Sequence, residues 1–153
     1  MAQALSTEPK EAETSEQPVM SGIIDTDVHP YPNSIADLTP HLSARWVQYI
    51  EQSGFKSPAG DLYPRAYEMA GRRDAWPPNG RCVGADPDFT REQLLDEWNL
   101  RYAVLNPLYG QERVQNDDFS IALASAINAW MSAMWLDSDD RWRGSISISA
   151  RLP

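Results

Sequence analysis

The stretch Ile23-Ile24-Asp25-Thr26-Asp27-Val28-His29, followed at once by Pro30-Tyr31-Pro32, decides the interpretation of this chain. Its β-branched residues favour a strand, and the prolines end that strand because they lack a backbone donor and fix φ. Successive side chains of a strand point to opposite faces, so Asp25, Asp27 and His29 are expected on one face. The stretch therefore predicts a short strand that ends in acidic and imidazole groups.

Asp27 and His29 are the candidate metal ligands. Carboxylate oxygen and neutral imidazole nitrogen both bind zinc and other divalent first-row metals, and a spacing of two along a strand directs both toward one ion. The tripeptide alone is a weak signal, because such a pair is more often a surface or hydrogen-bonded pair. Its position at the end of the first strand favours the metal hypothesis, since barrel active sites lie at the C-terminal ends of strands.

A long proline-rich segment separates this strand from the rest of the chain. Eight of the twelve prolines fall between residues 30 and 88, with five glycines dispersed among them. This composition predicts a mostly irregular insertion. One helix is expected inside it, from residue 40 to about residue 52, where Gly54 supplies a stop.

The later residues predict alternating helices and strands. Thr90, with Gln93 three residues later, offers a capping box for a helix over residues 90–99. The apolar run at 101–105 is typical of a buried strand. Apolar residues at steps of three and four predict a helix over 117–136, and the alternating Ser145-Ile146-Ser147-Ile148-Ser149 predicts a third strand.

A strand, a long helix and a second strand make a βαβ unit, whose strands must be parallel. The order of elements therefore predicts an α/β fold with three parallel neighbouring strands and a long proline-rich insertion after the first. Such a sheet is either doubly wound or part of a barrel.

Composition limits the function classes. A net charge of -9 and a pI near 4.6 leave no basic field for phosphates, which argues against nucleic-acid binding. Cys82 is the single cysteine, so no internal disulfide forms and a reducing compartment is expected. With no secretory signal and no apolar run judged long enough to span a membrane, a cytoplasmic protein without membrane contact is expected. The polar, acidic residues 1–20 predict a disordered tail.

Four stretches of the chain resemble the amidohydrolase superfamily, in particular the subgroup of aminocarboxymuconate-semialdehyde decarboxylase and related aromatic-acid decarboxylases. Together they span about residues 22–150, and the chemistry depends on the first of them. The stretches are Ile24-Asp25-Thr26-Asp27-Val28-His29-Pro30, Leu94-Leu95-Asp96-Glu97-Trp98-Asn99-Leu100-Arg101-Tyr102-Ala103-Val104-Leu105, Ala124-Ser125-Ala126-Ile127-Asn128-Ala129-Trp130 and Arg141-Trp142-Arg143-Gly144-Ser145-Ile146.

The resemblance implies that residues 21–153 are the N-terminal part of a (β/α)8 barrel of the TIM type. It also implies a metal-dependent hydrolase or carboxy-lyase acting on a small carboxylated or cyclic substrate. Asp27 stands where many members carry the first histidine of His-x-His, although some decarboxylases of the subgroup use a carboxylate there. The expected metal is zinc, with manganese or magnesium also suited to this harder site.

Family members complete the site with histidines and an aspartate from later strands, and a whole barrel needs about 250 residues. The chain is therefore expected to be truncated and inactive alone, with the catalytic residues unassigned and a homo-oligomer of the longer parent left open. The alternative is a non-catalytic fragment that binds a partner or nothing. His41, on the predicted insertion helix, and Cys82, with no base nearby, are expected to be structural residues only.

Overall fold

The computed structural model describes residues 22–58 and 71–149 of the chain. Three short strands and three α-helices occur in these ranges, joined by 3₁₀ turns and two π-helical segments. The tail predicted for residues 1–20 lies outside the described residues. The strands are β1 (Ile24–Val28), β2 (Tyr102–Leu105) and β3 (Trp142–Gly144), and the helices are α1 (Ala44–Ser53), α2 (Pro87–Thr90) and α3 (Asp117–Met131).

The three strands form one parallel sheet in the order β1-β2-β3. This confirms the predicted parallel neighbours and the α/β character of the chain. The register shifts in β1, where Asp25 lies opposite Ala103 but Val28 lies opposite Leu105. Three residues of β1 thus advance past two of β2, which is the geometry of a β-bulge.

The helix predicted over 117–136 is confirmed as α3 and the π-helical segment Ser132–Leu136 that continues it. Asn116 caps its start by accepting a hydrogen bond from the Phe119 amide at 3.1 Å. The expectation that no apolar run reaches membrane length is wrong for this 20-residue helix, in which a window of 18 residues has a mean hydropathy of 1.4. Half of the apolar window is buried by the fold, as in the core helix of an α/β sheet.

Two predicted helix boundaries differ from the structure. The insertion helix α1 begins at Ala44, because Pro40 belongs to a separate 3₁₀ turn, Thr39–His41. The second helix begins at Pro87 rather than Thr90, because the Asp86 carboxylate caps it by accepting from the Phe89 amide at 3.0 Å. Proline suits the first turn of a helix, where its missing N–H is no loss.

The third strand lies three residues before the predicted one. Residues 145–149 are outside β3, which ends at Gly144. Ser145 still donates its amide and its hydroxyl to the Leu105 carbonyl of β2, each at 2.9 Å. Ser147 bonds to α3 instead, since the Asn128 side chain donates to the Ser147 carbonyl at 2.8 Å and accepts from its amide at 2.9 Å. Burial does alternate along residues 145–149, but it is the serines that are half-buried, while the apolar Ile146 and Ile148 are exposed.

The core lies on one face of the sheet. Val28, Ala103, Leu105 and Trp142 point into it and pack with the buried side of α3. On β2, Tyr102 and Val104 alternate with the core residues and are only half-buried. The Arg143 guanidinium lies over the Tyr102 ring at 4.1 Å on that second face. The sheet therefore has a helix-covered face and a face with far less cover.

Candidate functional site

Asp27 and His29 lie together at the C-terminal end of β1. A distance of 3.5 Å separates Asp27 Oδ1 from His29 Nε2, and the two side chains are 77% and 43% exposed. Val28 between them is buried in the core. The pair therefore projects away from α3, toward the less covered face of the sheet, as strand alternation requires.

The His29 ring is oriented by a residue of the neighbouring strand end. Nδ1 lies 2.9 Å from the backbone oxygen of Asn106, which directly follows β2. A carbonyl oxygen can only accept, so Nδ1 must carry the proton and donate it. In the neutral ring, the lone pair then lies on Nε2, the atom that faces Asp27. A proton on Nε2, or a cation bound between Nε2 and the Asp27 carboxylate, would link the two side chains.

Asp25 does not share this arrangement, contrary to the expectation of three polar groups on one face. Its register partner is the core residue Ala103, and partners in neighbouring strands project to the same side of a sheet. The bulge between Asp25 and Val28 causes the change, because one extra residue reverses the alternation. Asp25 instead accepts the Asp27 amide through Oδ1 at 3.0 Å, and so supports the bulge.

The end of the insertion packs against the residues that directly follow β1. Tyr31 donates its amide to the Gly84 carbonyl at 2.7 Å. Gly84 has φ of +75°, and a Cβ at this position would overlap the carbonyl oxygen of His29. Glycine is thus required both by the backbone conformation and by the close approach.

A cavity of about 260 Å³ opens between the segments that follow β1 and β2. Its wall is largely apolar, with the tilted rings of Tyr31 and Tyr109 at a centroid distance of 5.6 Å. Lys56 and Ser57 contribute polar groups.

The other two singled-out residues lie away from this pair. His41 ends the 3₁₀ turn Thr39–His41 and is partly exposed. Cys82 is buried, and its amide donates to Asn33 Oδ1 at 2.9 Å. Burial raises the pKa of the Cys82 thiol, which disfavours the nucleophilic thiolate.

The donor atoms of Asp27 and His29 fit a divalent cation in type, but they make up only part of a site. Within 22–58 and 71–149, no group of three or more His, Cys, Asp or Glu side chains is arranged so that it could hold a metal ion. The sequence predicted that Asp27 and His29 lie close together. It did not predict that Asn106 bonds to the His29 ring or that Gly84 lies against the His29 carbonyl. The signals for these two were the Asn-Pro step after a strand and a glycine near the end of the insertion.

Comparison with protein-family models and with curated proteins finds no match for this chain. The parallel sheet and the geometry at the end of β1 are therefore the observations on which a functional proposal depends.

Proposed function

We propose that this chain is the N-terminal part of a cytoplasmic, metal-dependent enzyme with an amidohydrolase-type (β/α)8 barrel. The observation that carries the proposal is the orientation of His29. Its Nδ1 proton is held by the Asn106 carbonyl, while Nε2 lies 3.5 Å from an Asp27 oxygen. Metal-bound histidines almost always donate their second ring nitrogen in this way, which fixes the tautomer that ligates.

The barrel part of the proposal is supported by the uneven cover of the sheet. Parallel sheets are normally buried on both faces, because their crossover helices or barrel interior cover them. Here one face packs on α3, while Tyr102 and Val104 on the other are half-buried. Further strands curving over that second face would bury it and would place Asp27 and His29 at the mouth of a barrel.

Asp27 and His29 would supply two ligands to the ion. When bound, zinc, manganese or magnesium polarises a substrate oxygen or activates a bound water. The remaining ligands and the general acid/base would come from other parts of a longer protein. We propose a small carboxylated or cyclic substrate, for which the cavity between Tyr31 and Tyr109, with Lys56 at its wall, offers ring contacts and a positive charge.

A second candidate function is that of a non-catalytic interaction module. It is favoured by the apolar surface beyond β3, where Ile146 and Ile148 are 79% and 68% exposed. Exposed neighbouring apolar side chains mark surfaces that other protein segments cover. In this alternative, the Asp27–His29 contact would be a surface pair without metal.

The test is the metal content and turnover of the longer parent protein beside its Asp27→Ala and His29→Ala variants. Each variant should lose most of the bound metal and at least a hundredfold in turnover, because a site that loses one ligand binds its ion poorly. His41→Ala and Asp140→Ala are matched controls. Each removes a side chain of the same type at another position, and each variant should keep its bound metal and its turnover. Full metal occupancy in both site variants would refute the proposal and favour the interaction module.

A further inference from the structure

We propose that Asn106 is the positioning residue of the Asp27–His29 pair. Three hydrogen bonds connect this one residue to the end of β1. Its amide donates to the Val28 carbonyl at 2.6 Å, and its side-chain Nδ2 donates to the Thr26 carbonyl at 2.7 Å. Its own carbonyl accepts from the His29 ring at 2.9 Å. The inference rests on the proposed function only in taking His29 as a metal ligand.

The two carbonyls that Asn106 binds lie on either side of Asp27. Thr26 precedes Asp27 and Val28 follows it, within the bulge where the register of β1 and β2 shifts. A bulge interrupts the regular ladder of backbone hydrogen bonds. The Asn106 side chain supplies a donor to Thr26 at this interruption, and so fixes the backbone that carries the carboxylate.

The direction of the Asn106 carbonyl is restricted by the next residue. Pro107 disfavours helical backbone angles at Asn106 and keeps it extended. Because the amide and the side chain of Asn106 are bound at the same time, the carbonyl has little freedom left. It therefore presents one fixed acceptor to His29 Nδ1, and this selects the tautomer with a free lone pair on Nε2.

The first measurement is the tautomer of His29 in this chain without metal, from the ¹⁵N shifts of the two ring nitrogens at a pH where the ring is neutral. We expect the proton on Nδ1. A ring with its proton on Nε2 would overturn the inference, and this measurement needs no variant to fold. It also does not depend on any metal.

The second measurement compares Asn106→Ala with Asn128→Ala. Asn128 makes two comparable bonds to the Ser147 backbone, far from β1 in the sequence, so its loss controls for general destabilisation. We expect Asn106→Ala to shift the His29 ring toward a mixture of tautomers and Asn128→Ala to leave it unchanged. Equal tautomer populations in both variants and the unaltered chain would overturn the role of the Asn106 side chain.

The third measurement is a Co²⁺ titration of the same three proteins, followed by the His29 ring signals. Removing a residue that orients a ligand should raise the Co²⁺ dissociation constant by about tenfold in Asn106→Ala. If the tautomers behave as expected but the longer parent protein binds no Co²⁺, the positioning inference stands and the proposed metal function fails. The two claims are thereby separated.

Discussion

Gly84 contacts the candidate site with its backbone alone. Its φ of +75° is costly for any residue with a side chain, and a Cβ there would meet the His29 carbonyl oxygen. We expect Gly84→Ala to lower the free energy of unfolding by about 3 kcal/mol, combining left-handed strain with steric overlap. The substitution should also displace His29, which chemical denaturation and the His29 ring signals would report.

Gly80 is the matched control for this prediction. It has φ of +80°, but nothing lies within 4 Å of the position its Cβ would take. Gly80→Ala should therefore cost only the conformational term, about 1 kcal/mol, and leave the His29 signals in place. Similar losses in the two variants would mean that the contact with His29 contributes nothing.

Cys82 should react slowly with thiol reagents in the folded chain. Burial raises the pKa of its thiol, so the thiolate fraction is reduced at neutral pH, and burial also limits access. We expect modification at pH 8 to be at least tenfold slower than in the urea-unfolded chain. Rates that match in the folded and unfolded states would contradict the expectation that Cys82 is only structural.

The sequence predicted the nearness of Asp27 and His29 because the distance between residues two apart on a strand is a local property. It failed for Asp25 because the bulge depends on the pairing with β2, which no local pattern contains. Asn106 was missed for a related reason. Its role arises from a contact 77 residues along the chain, with His29.

Among the elements, β3 is attached at its start by an ion-pair cluster. Arg141 donates to Asp139 through Nε at 2.9 Å and Nη2 at 2.7 Å, and to Asp96 through Nη2 at 2.7 Å. Asp96 ends the π-helical segment Arg91–Asp96 that follows α2. The cluster thus joins the element before β2 to the turn before β3.

This cluster predicts a specific dependence of stability on pH. The hydrogen bonds from Arg141 lower the pKa of Asp139 below its ordinary value. Its contribution is therefore complete above the unfolded pKa of about 4 and is lost as the pH falls through the lower folded pKa. Asp139→Asn should reduce the free energy of unfolding at pH 7 by about 1 to 2 kcal/mol. In this variant, the free energy of unfolding should also fall less steeply below pH 4.

Denaturation at several pH values would measure both effects, and Arg141→Met completes a double-mutant cycle. The double variant should lose less than the sum of the two single variants, because both remove the same interaction. If the losses are additive and the free energy of unfolding still declines as steeply below pH 4, the Asp139–Arg141 pair is not the source of that decline.

The sequence predicted the type and order of the elements better than their ends. The period of apolar residues identified α3 because its packing face runs along its whole length. Helix starts were misplaced at Pro40 and Thr90, where a separate turn and a competing cap at Asp86 decided the boundary. The third strand was misplaced because Asn128 of α3 takes the backbone groups of Ser147, a tertiary contact that alternation does not reveal.

At the scale of the whole molecule, the sheet is less covered than a parallel sheet usually is. Ile146 and Ile148 beyond β3 are largely exposed. We expect the chain to self-associate, and the double substitution Ile146→Lys with Ile148→Lys to reduce that association. Since these side chains already lie in solvent, the free energy of unfolding should change by only about 0.5 kcal/mol. Sedimentation velocity over a range of concentrations would measure the association.

Ile121→Lys is the control for a general effect of added charge. Ile121 is 39% exposed on α3, apart in sequence from the segment after β3. If Ile121→Lys reduces association as strongly as the double substitution does, the surface beyond β3 is not the one responsible.

The bonds from Asn106 to His29 and Thr26 close loops of 77 and 80 residues. Such long-range contacts form only after a large loss of chain entropy, so the candidate site should be assembled late in folding. The cost of closing a flexible loop grows only with the logarithm of its length, and doubling the length adds about 0.6 kcal/mol. The stretch between the two strands also carries α1, α2 and Gly84. Changes of length over generations should therefore cost little only in the connections between these elements, while the same three groups still meet.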